Sequence, residues 1–299
     1  MNLLFRADSS SQIGIGHIMR DLVLAQRYPE ATITFACQDL SGHIMDKIPY
    51  PVHILKSNDP KELIERINAQ KIEMVIFDHY SIDVAFEKQI KKATGVIIMS
   101  LDDMYQQHHC DILLNHNIYA DKNRYKGLVP NYCKIQCGSQ FTLIRDEFKE
   151  EKKNQRKKKK KKTSLKIFLA MGGTDTKNLN PKILKVLEKF DNIHVTVVTT
   201  TANKNLQELQ QYIENKHWIT LHIDTDTIAK LLRKSHFAVV TPSVMLNEVY
   251  FMQKPFIAIQ AAPNQQEMVT YLKRNNVTVL KKFNRKKFYQ HVMAFRSKN

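Results

Sequence analysis

The sequence predicts an α/β protein made of two doubly wound, Rossmann-like domains that face each other across a cleft. Three observations carry this. Short apolar runs alternate with helix-length amphipathic stretches along the chain, the pattern of parallel strands whose crossovers cover both sheet faces. A basic run near the middle divides the 299 residues into halves with the same grammar. Each half opens on a strand that stops at a glycine turn, Gly14-Ile15-Gly16 in the first and Gly172-Gly173 in the second.

Taken in order, the first half reads as strands at Leu3 to Arg6, Thr32 to Cys37, Val52 to Leu55, Met74 to Asp78 and Val96 to Leu101. Helices at Pro60 to Ala69 and Val84 to Lys92 fall between them, where the apolar period lengthens from two towards 3.6. The second half repeats the scheme. Strands Leu165 to Ala170, His194 to Thr199, Thr220 to Ile223, Phe237 to Thr241, Phe256 to Ile259 and Val277 to Leu280 alternate with helices near Pro181 to Phe190, Leu206 to Asn215, up to Lys234, Val244 to Met252 and Gln266 to Asn275. The expected division is a first domain over 1–148, a basic linker over 149–163, and a second domain over 164–299 ending in a basic tail.

Charge and composition narrow the function classes. Net charge is +17, yet residues 149–162 carry ten Lys or Arg against Glu150 and Glu151, and residues 281–299 carry seven and no acid. The two bodies are left almost neutral. The linker therefore reads as a self-repelling spacer rather than a nucleic-acid surface, and neither nucleic acid nor membrane is an expected partner. No apolar run reaches the roughly 18 residues of a spanning helix, and no export signal opens the chain, so a cytoplasmic location is expected. Cys37, Cys110, Cys133 and Cys137 read as reduced thiols, without the second Cys or His pair that a structural zinc would need.

Only eight glycines occur in the chain, and half of them stand at the two first turns. Free N–H groups there, at the start of a helix, suit negative charge on a ligand. That ligand is not a dinucleotide, since Met19 occupies the third glycine position, and no Gly-Lys-Ser/Thr completes a Walker loop.

Several segments together carry a resemblance: FRADSSSQIGIGHIMRD at the start, then FDHYSID, HHCDILLN, LIRDEF, MGGTD, and SVMLNE followed by NQQE. They resemble the PseG family, hydrolases of UDP-2,4-diacetamido-2,4,6-trideoxy-β-L-altropyranose in pseudaminic acid biosynthesis. The likeness runs from the first residue to about 280. It implies the two-domain GT-B architecture, a MurG-like nucleotide site in the second domain, and inverting hydrolysis of a UDP-sugar. The long lysine run and the basic tail have no counterpart in that pattern and inherit no role.

His17 follows Gly16 where the first helix should begin, at a strand's carboxyl end. A neutral imidazole in such a place can activate water, and the resemblance makes His17 the general base. Arg20 and Asp21 lie three and four residues on, close enough to share its helix face. Arg20 is expected on substrate with Gly14 and Gly16. Asp21 would either orient the imidazole or form a solvated pair. UDP is a good leaving group, so one base suffices where an ordinary glycosidase needs two carboxylates. Tyr80, at the end of a strand, matches a tyrosine near the reacting sugar; as a residue it equally suits the rim of a site.

For the second domain the resemblance places Gly172, Gly173 and Thr174 along the nucleotide and aims the helix opened by Ser243 at the diphosphate. Glu248, with Asn247 beside it, would accept from the ribose hydroxyls. Asn264 would face the substrate while capping the next helix in a box with Glu267. Asp224-Thr225-Asp226 imitates a metal-binding DxD but precedes a helix, where acids serve as caps. Neither metal nor cofactor is expected. An inverting UDP-sugar glycosyltransferase of the MurG type would share the nucleotide residues, and a basic nucleic-acid binder would owe its affinity to the lysine run.

Overall fold

The computed structural model describes residues 1–155 and 164–297 and divides the chain into two units, 1–143 and 144–299. In the first unit the elements follow in the order β1 (Asn2–Ala7), α1 (Gly16–Ala25), β2 (Thr32–Gln38), β3 (Val52–Leu55), α2 (Pro60–Ala69), β4 (Met74–Asp78), α3 (Val84–Thr94), β5 (Ile97–Leu101), β6 (Ile112–Asn115) and β7 (Lys134–Cys137). Local chemistry sets several boundaries. Asp59 accepts the Lys61 N–H ahead of Pro60, Asp83 accepts the Phe86 N–H, and Gly95 ends α3 in the left-handed region.

All seven strands are parallel, in the order β3-β2-β1-β4-β5-β6-β7. Side chains of β1 alternate between two cores. Leu3 and Phe5 pack with Phe35 and with Ile18 and Leu24 of α1. Leu4 packs on the other face with Val75, Phe77, Leu63 of α2 and Ile90 of α3. Each such side chain, fully withdrawn from water, contributes roughly 1.5–3 kcal/mol before entropy is counted.

The second unit runs α4 (Asp146–Lys153), β8 (Leu165–Ala170), α5 (Leu179–Leu187), β9 (Ile193–Thr199), α6 (Leu206–Ile213), β10 (Ile219–Ile223), α7 (Ile228–Lys234), β11 (Phe237–Val240), α8 (Val244–Phe251), β12 (Phe256–Ile259), α9 (Gln266–Arg274), β13 (Val279–Leu280) and α10 (Arg285–Ser297). Its strands are parallel in the order β10-β9-β8-β11-β12-β13. Each sheet thus reverses direction beside its first strand, between β1 and β4 and between β8 and β11. Ligands of open α/β sheets bind beyond the strand carboxyl ends at such switch points. No helix among the described residues is long and apolar enough to cross a membrane.

Two boundaries differ from the sequence expectation. Residues 144–153 belong to the second unit, because Phe148 is fully buried and α4 is tied down by its acids: Glu147 accepts the Ala229 N–H at 3.1 Å and Glu151 pairs with Arg233. A charge count over 149–162 overlooks these partners. The core of the expected linker, 156–163, lies outside the described residues. The expected tail is largely the helix α10, anchored by Phe288 and Val292, one turn apart, in the core that includes α5.

Candidate active site

At the first switch point the β1–β4 register sets Ala7 beside Asp78. The chain leaving β1 folds back through a Ser10–Gly14 bridge, Gly14 N donating to the Ser10 carbonyl at 2.8 Å, before α1 begins at Gly16. Gly14 has φ +88°, and a Cβ there would meet nothing within 4 Å. The backbone angle, rather than crowding by the protein, requires glycine here.

This turn delivers His17 to Asp78. The imidazole Nδ1 lies 2.6 Å from Asp78 Oδ1 and 3.3 Å from Arg20 Nη2. Both cannot be hydrogen bonds, because one partner accepts and the other donates. The shorter contact decides: Nδ1–H donates to the carboxylate, which leaves Nε2 as the basic nitrogen. No hydrogen bond to Nε2 is made among the described residues. Burial pushes the Asp78 carboxyl up, but the charges and hydrogen bonds of Arg20 and His17 outweigh it and hold the carboxyl well below the usual range.

Asp21 neither orients the imidazole nor forms a solvated pair, the two alternatives its spacing left open. Its side chain is fully buried, and burial together with the charge of Asp78 pushes its carboxyl well above the usual range. Arg20 is 5% exposed and spends three of its five N–H donors on carboxylates: Nε on Asp78 Oδ2 at 2.5 Å, Nη2 on Asp78 Oδ1, and Nη1 on Asp103 Oδ2 at 3.1 Å. Tyr80 is 41% exposed and meets the His17 ring edge-on, with centroids 4.7 Å apart and its hydroxyl donating to Asp103 at 3.0 Å.

The same sheet end holds two further histidines. His79 Nε2 donates to Asp8 at 2.9 Å while its Nδ1 accepts the Ser81 N–H at 3.1 Å, and Arg6 clasps Asp8 at 2.6 and 2.9 Å. His116, after β6, is fully buried with neither ring nitrogen bonded; burial and then the charge of Arg20 push it down to about 3.

At the second switch point Gly172 has φ +84° and again an open Cβ position. The Gly173 carbonyl is pinned by the hydroxyls of Thr199 and Thr200 at 3.1 and 3.0 Å, and Thr174 follows in the same turn. Asp175 then caps α5, accepting from Leu179 and Asn180; burial pushes its carboxyl up to about 6. Opposite this turn, α8 starts after Ser243, whose hydroxyl lies 3.0 Å from that of Thr241 and caps no helix N–H. The first turn of α8 therefore presents uncapped N–H groups. Asn247 and Glu248 are buried on α8. Both Glu248 oxygens are taken by Arg145, at 2.6 and 2.8 Å, an arginine the sequence reading passed over.

Asn264 is exposed in a short turn, Pro263–Gln265, ahead of α9, and the N–H groups of Ala261 and Ala262 entering that turn are taken by Gln265. The acids of the DxD segment do not cap α7 in the expected way. Asp224 accepts the Thr201 N–H at 3.2 Å, and Glu147 serves the first turn of α7 instead.

No protein-family model matches the chain. It is 44% identical over 283 residues, 95% of this chain and 100% of the other, to a Campylobacter jejuni protein named UDP-2,4-diacetamido-2,4,6-trideoxy-β-L-altropyranose hydrolase. Among solved structures it is similar to MurG of Acinetobacter baumannii, with a TM-score of 0.62 at 10% identity over 99% of this chain and 90% of that one. It is also similar to the UDP-GlcNAc 2-epimerase of Neisseria meningitidis bound to UDP-GlcNAc, with a TM-score of 0.58 at 14% identity over 99% and 92%. At these identities the structures establish the fold, two Rossmann-like units of the GT-B kind.

Proposed function

The chain belongs to the UDP-2,4-diacetamido-2,4,6-trideoxy-β-L-altropyranose hydrolase family, and from that premise we propose how its residues divide the hydrolysis of a UDP-linked diacetamido-trideoxy sugar. The observation that carries the assignment is His17, an imidazole fixed at one nitrogen by a buried carboxylate and left unbonded at the other among the described residues.

In this reading His17 Nε2 takes a proton from water as the water oxygen attacks the anomeric carbon. The bond from that carbon to the diphosphate oxygen breaks, and UDP departs with the bonding pair. UDP needs no proton to leave at neutral pH, so the site requires a base but no paired acid. Attack from the face opposite UDP inverts the anomeric carbon. The imidazolium formed meanwhile is stabilised by Asp78 at Nδ1, as the buried aspartate of a catalytic triad stabilises its histidine. Tyr80 offers an exposed ring edge and a hydroxyl, and we assign it to the sugar.

The second unit supplies nucleotide groups. The Gly172-Gly173-Thr174 turn and the uncapped start of α8 after Ser243 suit the negative charge of a diphosphate. Glu248 is assigned to the ribose, with Asn247 beside it; Arg145 donates once to each carboxylate oxygen and so orients the group, and each oxygen keeps a second lone pair for a ribose hydroxyl. Asn264, exposed beyond β12, is assigned to the substrate. No step uses a metal, and activity is expected to survive excess EDTA.

The test is incubation of the protein with UDP-sugars and no acceptor, following UDP release and the anomer of the sugar by NMR at early times. Free sugar of inverted configuration from the diacetamido-trideoxy substrate supports the reading. UDP release that requires an added alcohol acceptor would make the protein a transferase.

A further inference from the structure

We propose that Arg20 is a positioning residue that holds the base and the tyrosine in one register, acting on His17 through Asp78 and on Tyr80 through Asp103. The proposal rests on the assignment of His17 as base and Tyr80 as sugar contact. Its basis is connectivity. One guanidinium grips both oxygens of the aspartate bonded to His17, and its third arm reaches Asp103 Oδ2, the same oxygen that accepts the Tyr80 hydroxyl. A planar fork with donors along two edges does this; a lysine, with one ammonium, cannot span both carboxylates in that geometry.

Charge adds to the geometry. Asp21 of α1 and His116 after β6 face the same cluster; burial and Asp78 push the carboxyl of the first up, and burial and Arg20 push the imidazole of the second down. Arg20 stands as one cation between two carboxylates. The proton that His17 takes from water makes the signs even.

The first test is steady-state kinetics of Arg20→Met and Arg20→Lys. In Arg20→Met kcat should fall by about 10²-fold, and by less in Arg20→Lys, with KM and inhibition by UDP within about twofold. Guanidinium ion added to Arg20→Ala should restore part of kcat. A raised KM at unchanged kcat would return Arg20 to substrate binding and overturn the proposal.

Removing Arg20 strands two carboxylates, so those variants can fail to fold. Asp103→Ala keeps the Arg20–Asp78 pair and provides a second test. It should lower kcat about as much as Tyr80→Phe, and the double variant should lower it no further, because both changes cut the same arm. Losses that multiply would overturn the proposal. Full turnover in His17→Asn and Tyr80→Phe would bring down the catalytic assignment itself; lost turnover there, with normal kcat in the Arg20 and Asp103 variants, would bring down the positioning role alone.

Discussion

Two His–Asp–Arg groups sit side by side at the carboxyl end of the first sheet, and they are built crosswise. Asp78 ends β4 and holds His17 from the first turn of α1, while Asp8 follows β1 and holds His79 from the turn after β4. Each aspartate is buried and gripped by an arginine. The difference lies in the second imidazole nitrogen. His79 spends it on the Ser81 N–H, so its ring is saturated. His17 keeps Nε2 unbonded among the described residues. Identical side chains thus make a brace in one place and, in the function proposed, a base in the other. What separates them is one backbone hydrogen bond, supplied by the turn after β4 and withheld by the first turn of α1.

Matched substitutions can break this comparison. Asp78→Asn removes the carboxylate that fixes the His17 tautomer, and kcat should drop by about 10²-fold or more. Asp8→Asn, its counterpart, should leave kcat within about threefold but lower unfolding free energy by roughly 3 kcal/mol, because Arg6 keeps a buried, unpaired charge. Kinetics and urea unfolding of the two variants check this; equal losses of kcat would erase the distinction.

The Arg145–Glu248 pair sharpens it from the second unit, since there a carboxylate assigned to a ligand is held by an arginine at both oxygens yet keeps acceptor capacity. Glu248→Gln should raise KM by about tenfold and leave kcat within about twofold, the mark of binding lost equally from ground and transition states. An unchanged KM would assign the carboxylate to Arg145 alone.

The smallest effect on activity is expected at His116, a third histidine near the same sheet end with both nitrogens unbonded. His116→Leu loses no hydrogen bond, so it should leave kcat unchanged and hold or raise stability at neutral pH by up to about 1 kcal/mol. The sign with pH is definite. An imidazole held down to about 3 in the fold but near 6.5 when unfolded supports stability above pH 6.5 and loses it as pH falls towards 3. Acid titration of unfolding should show a shallower decline below pH 6 in His116→Leu than in the parent chain. Arg20, Arg27 and Asp78 are the charged groups that bear on this imidazole. A parallel decline would mean that another group carries the titration.

The sheets were legible because their strands are apolar runs bounded by turns, and Val52–Leu55, Met74–Asp78, Leu165–Ala170 and Phe256–Ile259 fall where the sequence places them. Edge and charged elements were not. Lys134–Cys137 has one strongly apolar aliphatic residue, Ile135, and no interior face to reveal it. The helices α4 and α10 hide one and two buried anchors respectively, Phe148 and then Phe288 with Val292, among charges that read as solvated chain.

At the site, His17 was visible from its glycine turn, but local spacing offered only Asp21, one helical turn away, as an acid that could orient it. The partner is 61 residues distant, brought near by the parallel pairing of β1 with β4. A rule that looks for acids ending the strand across the switch point would have found Asp78. The two aspartates that enclose Arg20 were hidden for the same reason, since Asp78 ends β4 and Asp103 follows β5.

His17→Asn and His79→Asn, measured side by side for kcat and for inhibition by UDP, test the difference between the two groups most directly. The base assignment requires kcat of His17→Asn to fall by about 10²-fold or more with UDP affinity within a few-fold of the parent, and His79→Asn to lose stability while each folded molecule turns over nearly as before. Near-normal turnover in His17→Asn, or a larger loss in His79→Asn, would contradict it.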